Sequence, residues 1–382
     1  MNGIFRKLDE LFDTYVNVWE DVCNIESPTA DKAGVDAVGA YFIAMAKERG
    51  WDVDVCKQAV SGNAISITMN PDAAGSMICL SGHMDTVHPV GCFGSPAVHL
   101  DEEKIYGPGV TDCKGGIVAA FFAMDALRKS GFRDRPVRLI LQSDEEVGSR
   151  TSNYETVEYM CEQAKDAAAF LNLEGASPDE ICLSRKGIMT YVFTVQGQEA
   201  HSSCCATMGA NDILDAAHKI IELEKIKDEN GLTCCCSVIQ GGTVVNTVPG
   251  KCVFKVNVRF ANAAQLAWIE NHVQTVADTV HVPGCTCTVV PLSRGRIAME
   301  YTQRNQDLAD AINDIFVKNG LSPVKVAKRK GGSDAAYITA AGIPCVDNLG
   351  TMGGNIHSPE EYGIIDSLLL AAKRIASIVV NL

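Results

Sequence analysis

A chain of 382 residues, 47% hydrophobic and 21% charged, has ordinary globular composition and more length than one core usually serves, so two domains are expected. Its net charge of −14 repels nucleic-acid phosphates and anionic lipid, so no nucleic acid and no membrane is expected as a partner. Charges interrupt the first ten residues at once, and the longest apolar stretch, Gly115 to Leu127, is too short to span a bilayer and carries Asp125, which argues against a signal peptide and a membrane helix.

Residues 4 to 24 place Leu8, Leu11, Phe12, Tyr15, Val16 and Trp19 on one side of a helix. Ser27-Pro28-Thr29 ends it and opens a second helix over 31 to 49. Ala64 to Met69 and Met77 to Leu80 read as strands, Gly115 to Ser130 as a buried helix, and Val137 to Gln142 as a compact apolar strand. Strands alternating with helices imply an α/β domain with a mixed, mostly parallel sheet. The pattern changes after Ser184. Strands at Ile188 to Val195, Leu232 to Gln240, Lys251 to Phe260 and Cys285 to Val290 alternate with helices at Asn211 to Ile226 and Ala264 to Val280. That β-α-β-β-α-β order is a ferredoxin-like α+β unit with its own core. The α/β style resumes at Ile297, with helices over 305 to 319 and 366 to 380 and a short strand at Pro344-Cys345-Val346. The expected division is therefore 1–184 with 297–382, and an inserted domain over 185–296. The 16 cysteines include the direct neighbours Cys204-Cys205 and Cys234-Cys235-Cys236, which suits reduced thiols in a cytoplasmic protein better than a disulfide scaffold.

Five short segments carry the acids and histidines that point to chemistry. Ser81-Gly82-His83-Met84-Asp85 follows a strand, and its His-x-Asp pair lets an imidazole bind a metal through one nitrogen while a carboxylate steadies the other. Gly107 to Gly116 sets Asp112 among backbone-permissive glycines at a helix start, where it could cap the helix or hold cations. Asp144-Glu145-Glu146 ends a strand with adjacent acids, a costly arrangement without a compensating cation or proton. A metal site that activates water needs two such groups, one as ligand and one as general base. Leu171 to Gly175 supplies Glu174, and Gly354 to Glu361 supplies His357. Each segment alone could be ordinary structure. Together they offer two histidines, three carboxylates and a spare Glu, a set that suits two zinc ions about 3.5–4 Å apart.

The His-x-Asp pair at 83–85, Gly-x-x-Asp-x-Lys-Gly-Gly at 109–116, Asp-Glu-Glu-x-Gly at 144–148 and Gly-Gly-Ser-Asp-Ala-Ala at 331–336 occur in the order of a known family. Over nearly its whole length the chain resembles the di-zinc metallopeptidases that include aminoacylase, glutamate carboxypeptidase, acetylornithine deacetylase and succinyl-diaminopimelate desuccinylase. The resemblance implies two Zn2+ per chain, with Co2+ or Mn2+ as substitutes. His83, Asp112 and Glu174 would hold one ion, and Asp112, Glu146 and His357 the other, with Asp112 bridging. Glu145 would be the general base and acid, and Asp85 would orient His83. The inserted domain would be a lid that mediates a homodimer. In it, His201 would stabilise the tetrahedral intermediate and Asn246 would contact substrate. Arg259 or Arg296 would bind a substrate carboxylate, since guanidinium forks pair with carboxylates bidentately.

The implied activity is hydrolysis of an amide beside a free carboxylate in a small peptide or N-acyl amino acid, with a glutamate-carboxypeptidase-like exopeptidase as the first reading. An N-acyl amino acid deacylase or dipeptidase on the same scaffold is the alternative. A non-catalytic zinc-binding scaffold is the alternative of another class.

Overall fold

The computed structural model describes residues 1–228 and 231–382. They form two compact units: Met1–Leu183 with Tyr301–Lys328 and Ser333–Leu382, and Ser184–Glu300 with Arg329–Gly332.

The first unit is built on a six-stranded mixed sheet. Its strands lie in the order Asp52–Cys56, Ala64–Met69, Val137–Gln142, Ile78–His83, Ala169–Asn172, Cys345–Val346. The last four pair in parallel and the first two add on antiparallel. Ala64–Met69 and Ile78–His83 are buried at every residue, as apolar runs covered on both faces must be. The sequence expects the strand at 77–80 to stop before the histidine. It instead continues through Ser81 and Gly82 and ends on His83, so the imidazole projects from the carboxyl end of a central strand.

Helix Lys114–Lys129 is buried without a break from Lys114 to Leu127, which explains the long apolar run in the sequence. Helices Asn2–Asn24 and Ile365–Asn381 pack against it. Aromatic stacking fixes the fit, with Tyr15 on Phe122 at 4.7 Å and Phe42 on Phe121 at 5.2 Å between ring centroids. No helix among the described residues is long and apolar enough to cross a membrane.

The second unit has a wholly antiparallel sheet of four strands, in the order Thr233–Gly241, Lys251–Phe260, Gly187–Gln196, Thr286–Pro291. Helices Asp212–Leu223 and Ala263–Asp278 cover one face. Along Lys251–Phe260 every second side chain is buried, the period expected of a sheet with one covered face. Phe193 and Phe254 stack across neighbouring strands at 4.6 Å. All 16 cysteines of the chain are free thiols.

Candidate active site

The carboxyl ends of the parallel strands converge on one cluster in the first unit, the usual place for a site in an open α/β sheet. His83 ends one strand, Glu145 and Glu146 follow Val137–Gln142 in a short 3-10 turn, and Glu174 lies just beyond Ala169–Asn172. Two glycines let helix Lys114–Lys129 approach closely enough to present Asp112 to them. A Cβ on Gly82 would meet Ile117 Cγ1 at 2.8 Å, and one on Gly116 would meet the Leu173 carbonyl oxygen at 2.1 Å.

Asp112 sits between two imidazoles. His83 Nε2 is 3.1 Å from its Oδ1, and His357 Nε2 is 3.0 Å from its Oδ2. Glu174 Oε1 lies 3.8 Å from His83 Nε2, and Glu146 Oε2 lies 3.3 Å from His357 Nε2. Donor atoms sharing a tetrahedral zinc at about 2.0–2.1 Å stand about 3.3 Å apart. Each half of the cluster therefore has the spacing of ligands on one ion, with one Asp112 oxygen facing each half. His357 lies at φ +66, a left-handed conformation uncommon outside glycine and characteristic of functional turns.

Asp85 organises the rest. It is fully buried, and its carboxylate accepts from Thr29 Oγ1 at 2.7 Å and from the backbone N–H groups of Glu145 and Glu146 at 3.1 and 3.2 Å. His83 Nδ1 meets the Asp85 carbonyl oxygen at 2.9 Å, closer than the carboxylate at 3.4 Å. The aspartate thus sets the imidazole through its backbone and the two glutamates through its side chain.

The electrostatics mark a site built for cations. Hydrogen bonds to Asp112 and Glu146 lift His357 to about 10. Burial pushes Glu146 up to about 7, against the pull of His357. Burial and the charge of Asp112 push Glu174 well above the carboxylate range. Burial acts to raise Asp112 as well, yet His357 and His83 hold it well below that range. Burial draws His83 down, but Cys113, Asp112, Asp85 and Glu174 outweigh it and hold the imidazole well above its usual value. Three carboxylates packed this closely disfavour one another's charge, which divalent cations would compensate. The nitrogen and oxygen donor set fits zinc, cobalt or manganese.

Sequence reasoning gave no role to three neighbours. Cys113 Sγ lies within 4.8 Å of donor atoms of His83 and Glu174, although no thiolate is expected at a metal in this chain. Burial holds its thiol well above the ordinary value, and Sγ donates to the Leu173 carbonyl at 3.1 Å, so it stands as a neutral thiol. Glu361 and His88, both buried, pair with each other behind Asp112. Glu361 is one of two adjacent acids shortly after His357, and nothing in that spacing says which of them turns inward.

The profile of peptidase family M20/M25/M40 matches residues 79–381. The chain belongs to this family. Carboxypeptidase G2 of Pseudomonas sp. (strain RS-16) is 26% identical over 374 residues, 96% of this chain and 89% of that one. A succinyl-diaminopimelate desuccinylase of Gluconobacter oxydans is 27% identical over 303 residues, 74% and 76% of the two chains. Among solved structures, aminopeptidase PepT of Bacillus cereus superposes with a TM-score of 0.79 at 20% identity, covering 96% of this chain and 97% of that one. The YXEP protein of Bacillus subtilis, a dinuclear metal-binding peptidase of the M20 family, gives 0.71 at 15% identity, with 98% and 99% covered. At those identities the structures speak for the M20 fold alone. The M20 chain described here is accordingly a hydrolase of the metallopeptidase class.

The remaining predicted residues lie in the second unit. His201 is exposed and pairs with Thr247 across a two-residue ladder, with Nδ1 2.8 Å from Ser203 Oγ. Ser202 N donates to the Asn246 carbonyl at 2.9 Å, so the His201 and Asn246 segments are neighbours. Arg259 Nε donates to Asn257 Oδ1 at 3.1 Å, and burial together with the charge of Arg296 lowers its pKa. Arg296 is largely buried and exchanges two backbone hydrogen bonds of 2.8 Å with Ile188.

Proposed function

We propose that this M20 chain is a di-zinc hydrolase that cleaves an amide bond beside a free carboxylate, most nearly a glutamate-carboxypeptidase-like exopeptidase. The observation that carries the reading is Asp112, held by one oxygen against each of two histidines, with Glu145 to spare beside the ligand Glu146. His83, Asp112 and Glu174 would hold one ion, and Asp112, Glu146 and His357 the other. Zinc ions bound there would supply Lewis acidity and lower the pKa of water.

The protein's own groups do the rest. Glu145 takes the proton of the attacking water and returns it to the leaving amine nitrogen. Its charge acts on both Glu146 and Glu174, which supports a position facing both halves of the cluster. His201 donates to the developing oxyanion. Residues 185–296 act as the lid and dimerisation domain on the catalytic domain of 1–184 and 297–382.

The cations of the second unit support an anionic substrate. A cavity of about 740 Å³ there is lined by Lys186, Lys227, Arg259 and Lys330. Burial and, after it, the charge of Arg296 lower the Arg259 pKa, and a bound carboxylate would favour the charged guanidinium. Asn246 completes the set of proposed substrate contacts.

An N-acyl amino acid deacylase or dipeptidase is the second reading, favoured by the resemblance to a desuccinylase. A catalytically silent scaffold would have no use for Glu145. The test compares one substrate as free acid and as neutral amide, in the wild type, Arg259→Ala and Arg296→Ala. The free acid should be strongly preferred by the wild type, and the preference should collapse in at least one variant. Equal efficiency on both substrates would remove carboxylate recognition from the account.

A further inference from the structure

Glu361 is fully buried, and hydrogen bonds to both of its carboxylate oxygens are formed at one strategic place. Oε1 accepts from the backbone N–H groups of Thr111 and Asp112 at 2.9 and 3.0 Å. Oε2 meets His88 Nε2 at 2.8 Å and accepts a longer bond of 3.4 Å from the N–H of Gly109. The His88 ring is itself held edge-on by Phe93, 4.9 Å away between centroids.

These contacts join three stretches far apart in sequence. His88 lies five residues after His83, Thr111 and Asp112 belong to the glycine-rich loop, and Glu361 lies four residues after His357. The turn that carries His357 is closed by Ser358 N to Asn355 O and Glu361 N to Ser358 O, each 3.0 Å. One carboxylate therefore ties the backbone of the bridging Asp112 both to the His357 turn and, through His88, to the His83 segment. A buried carboxylate is costly without such partners, and here its acceptor positions are used on the ligand-bearing loop.

We propose that Glu361, assisted by His88, is a positioning residue that sets the Asp112 carboxylate symmetrically between His83 and His357. It touches neither substrate nor metal. It acts by fixing the N–H of Asp112, and hence the direction in which that side chain leaves the loop. Outer partners of this kind change metal affinity or activity by about 10–100-fold when removed. The inference rests on the reading of Asp112, His83 and His357 as ligands of one metal pair.

Glu361→Gln keeps the volume but presents an amide donor to an N–H or to His88. His88→Leu removes the donor to Glu361, whereas His88→Gln can restore it. Metal-free full-length protein is titrated with Zn2+ against a chromophoric chelator, and near-ultraviolet circular dichroism and thermal midpoints are recorded with and without metal. The wild type should take up two ions. Glu361→Gln should bind at least one of them about 10–100-fold more weakly. His88→Leu should show a smaller loss of the same sense, and His88→Gln should recover most of it. A folded Glu361→Gln whose two affinities lie within about twofold of the wild type overturns the proposal. So does a fall in thermal midpoint that is equal with and without metal at unchanged affinity, the signature of a merely structural group. If Glu361→Gln fails to fold, the two His88 variants decide by the same criteria. A wild type that takes up no second ion is a distinguishable failure. It removes the metal-pair reading, and the inference with it.

Discussion

Glu145 and Glu146 are chemically identical neighbours in different surroundings. Glu146 reaches His357 at 3.3 Å and is a proposed metal ligand. Glu145, whose backbone N–H is likewise held by Asp85, is the carboxylate proposed to move protons. Glu145→Gln should therefore keep both metals and lose turnover by at least about 100-fold, the scale of general acid–base catalysis. Metal content and initial rates on the same preparation check this, and near-normal turnover would place the base elsewhere. At this scale the sequence is most informative where chemistry is local. His83-x-Asp85 and Asp144-Glu145-Glu146 can be read because their partners are sequence neighbours. The pairing of His88 with Glu361 spans 273 residues and has no local signature. Cys113 is hidden for a different reason: its nearness to the cluster follows from how tightly the helix start packs on Leu173, which Gly82 and Gly116 permit.

Helix Lys114–Lys129 carries an acid in its most buried stretch, and the surrounding elements explain why. Asp125 accepts from Tyr15 Oη at 3.1 Å and Arg49 at 3.3 Å, and from Arg128 at 2.8 and 3.1 Å. It thereby links helices Asn2–Asn24 and Lys114–Lys129 to the end of helix Lys32–Glu48. Burial acts to raise its pKa, but Arg49, Arg128 and Lys129 more than offset this and lower it. A carboxyl group depressed in the folded state stabilises above its unfolded value of about 3.9 and loses that contribution as pH falls through the folded value. Asp125→Ala should cost about 3 kcal/mol at neutral pH, the scale of breaking a buried ion pair. The gap between variant and wild type should shrink below about pH 4 as the wild-type carboxyl is protonated. Denaturant unfolding at pH 7 and pH 3 measures both, and a gap that persists undiminished at pH 3 would contradict the ionic account. Elements with strong periodicity are the legible ones. Val137–Gln142 and Lys251–Phe260 coincide with their expected bounds, one as an apolar run and the other as an alternation. Strand Asp52–Cys56 and helix Glu155–Gln163 receive no assignment from sequence. The strand is a half-exposed sheet edge without one fully buried residue, and the helix has only nine residues, too few for a clear periodic face.

The whole molecule combines an M20 catalytic scaffold with a smaller α+β unit that exposes several large apolar side chains. Thr233–Gly241 is a terminal strand of its sheet and exposes Val238 and Ile239, while helix Asp212–Leu223 exposes Ile213, Leu214 and Ile221. Terminal strands with apolar side chains invite pairing with a second copy. A homodimer through this unit should appear in light scattering at assay concentration, and Val238→Lys with Ile239→Lys should shift it towards monomer. A stable, active wild-type monomer would count against that arrangement. The change of strand pattern near Ser184, where the second compact unit begins, is visible in sequence because strands covered on both faces give way to alternating ones. Substrate identity has no such signature, since the proposed metal ligands would be indifferent to which amide they served. The central claim is a metal pair that drives amide hydrolysis, and stepwise reconstitution tests it most directly. Metal-free protein is titrated with Zn2+ while hydrolysis of an N-acyl glutamate and a small panel of dipeptides and N-acyl amino acids is followed. The account predicts activity that climbs to a plateau at two ions per chain, on at least one substrate with a free carboxylate. A plateau at one ion, or hydrolysis untouched by complete removal of metal, would contradict it.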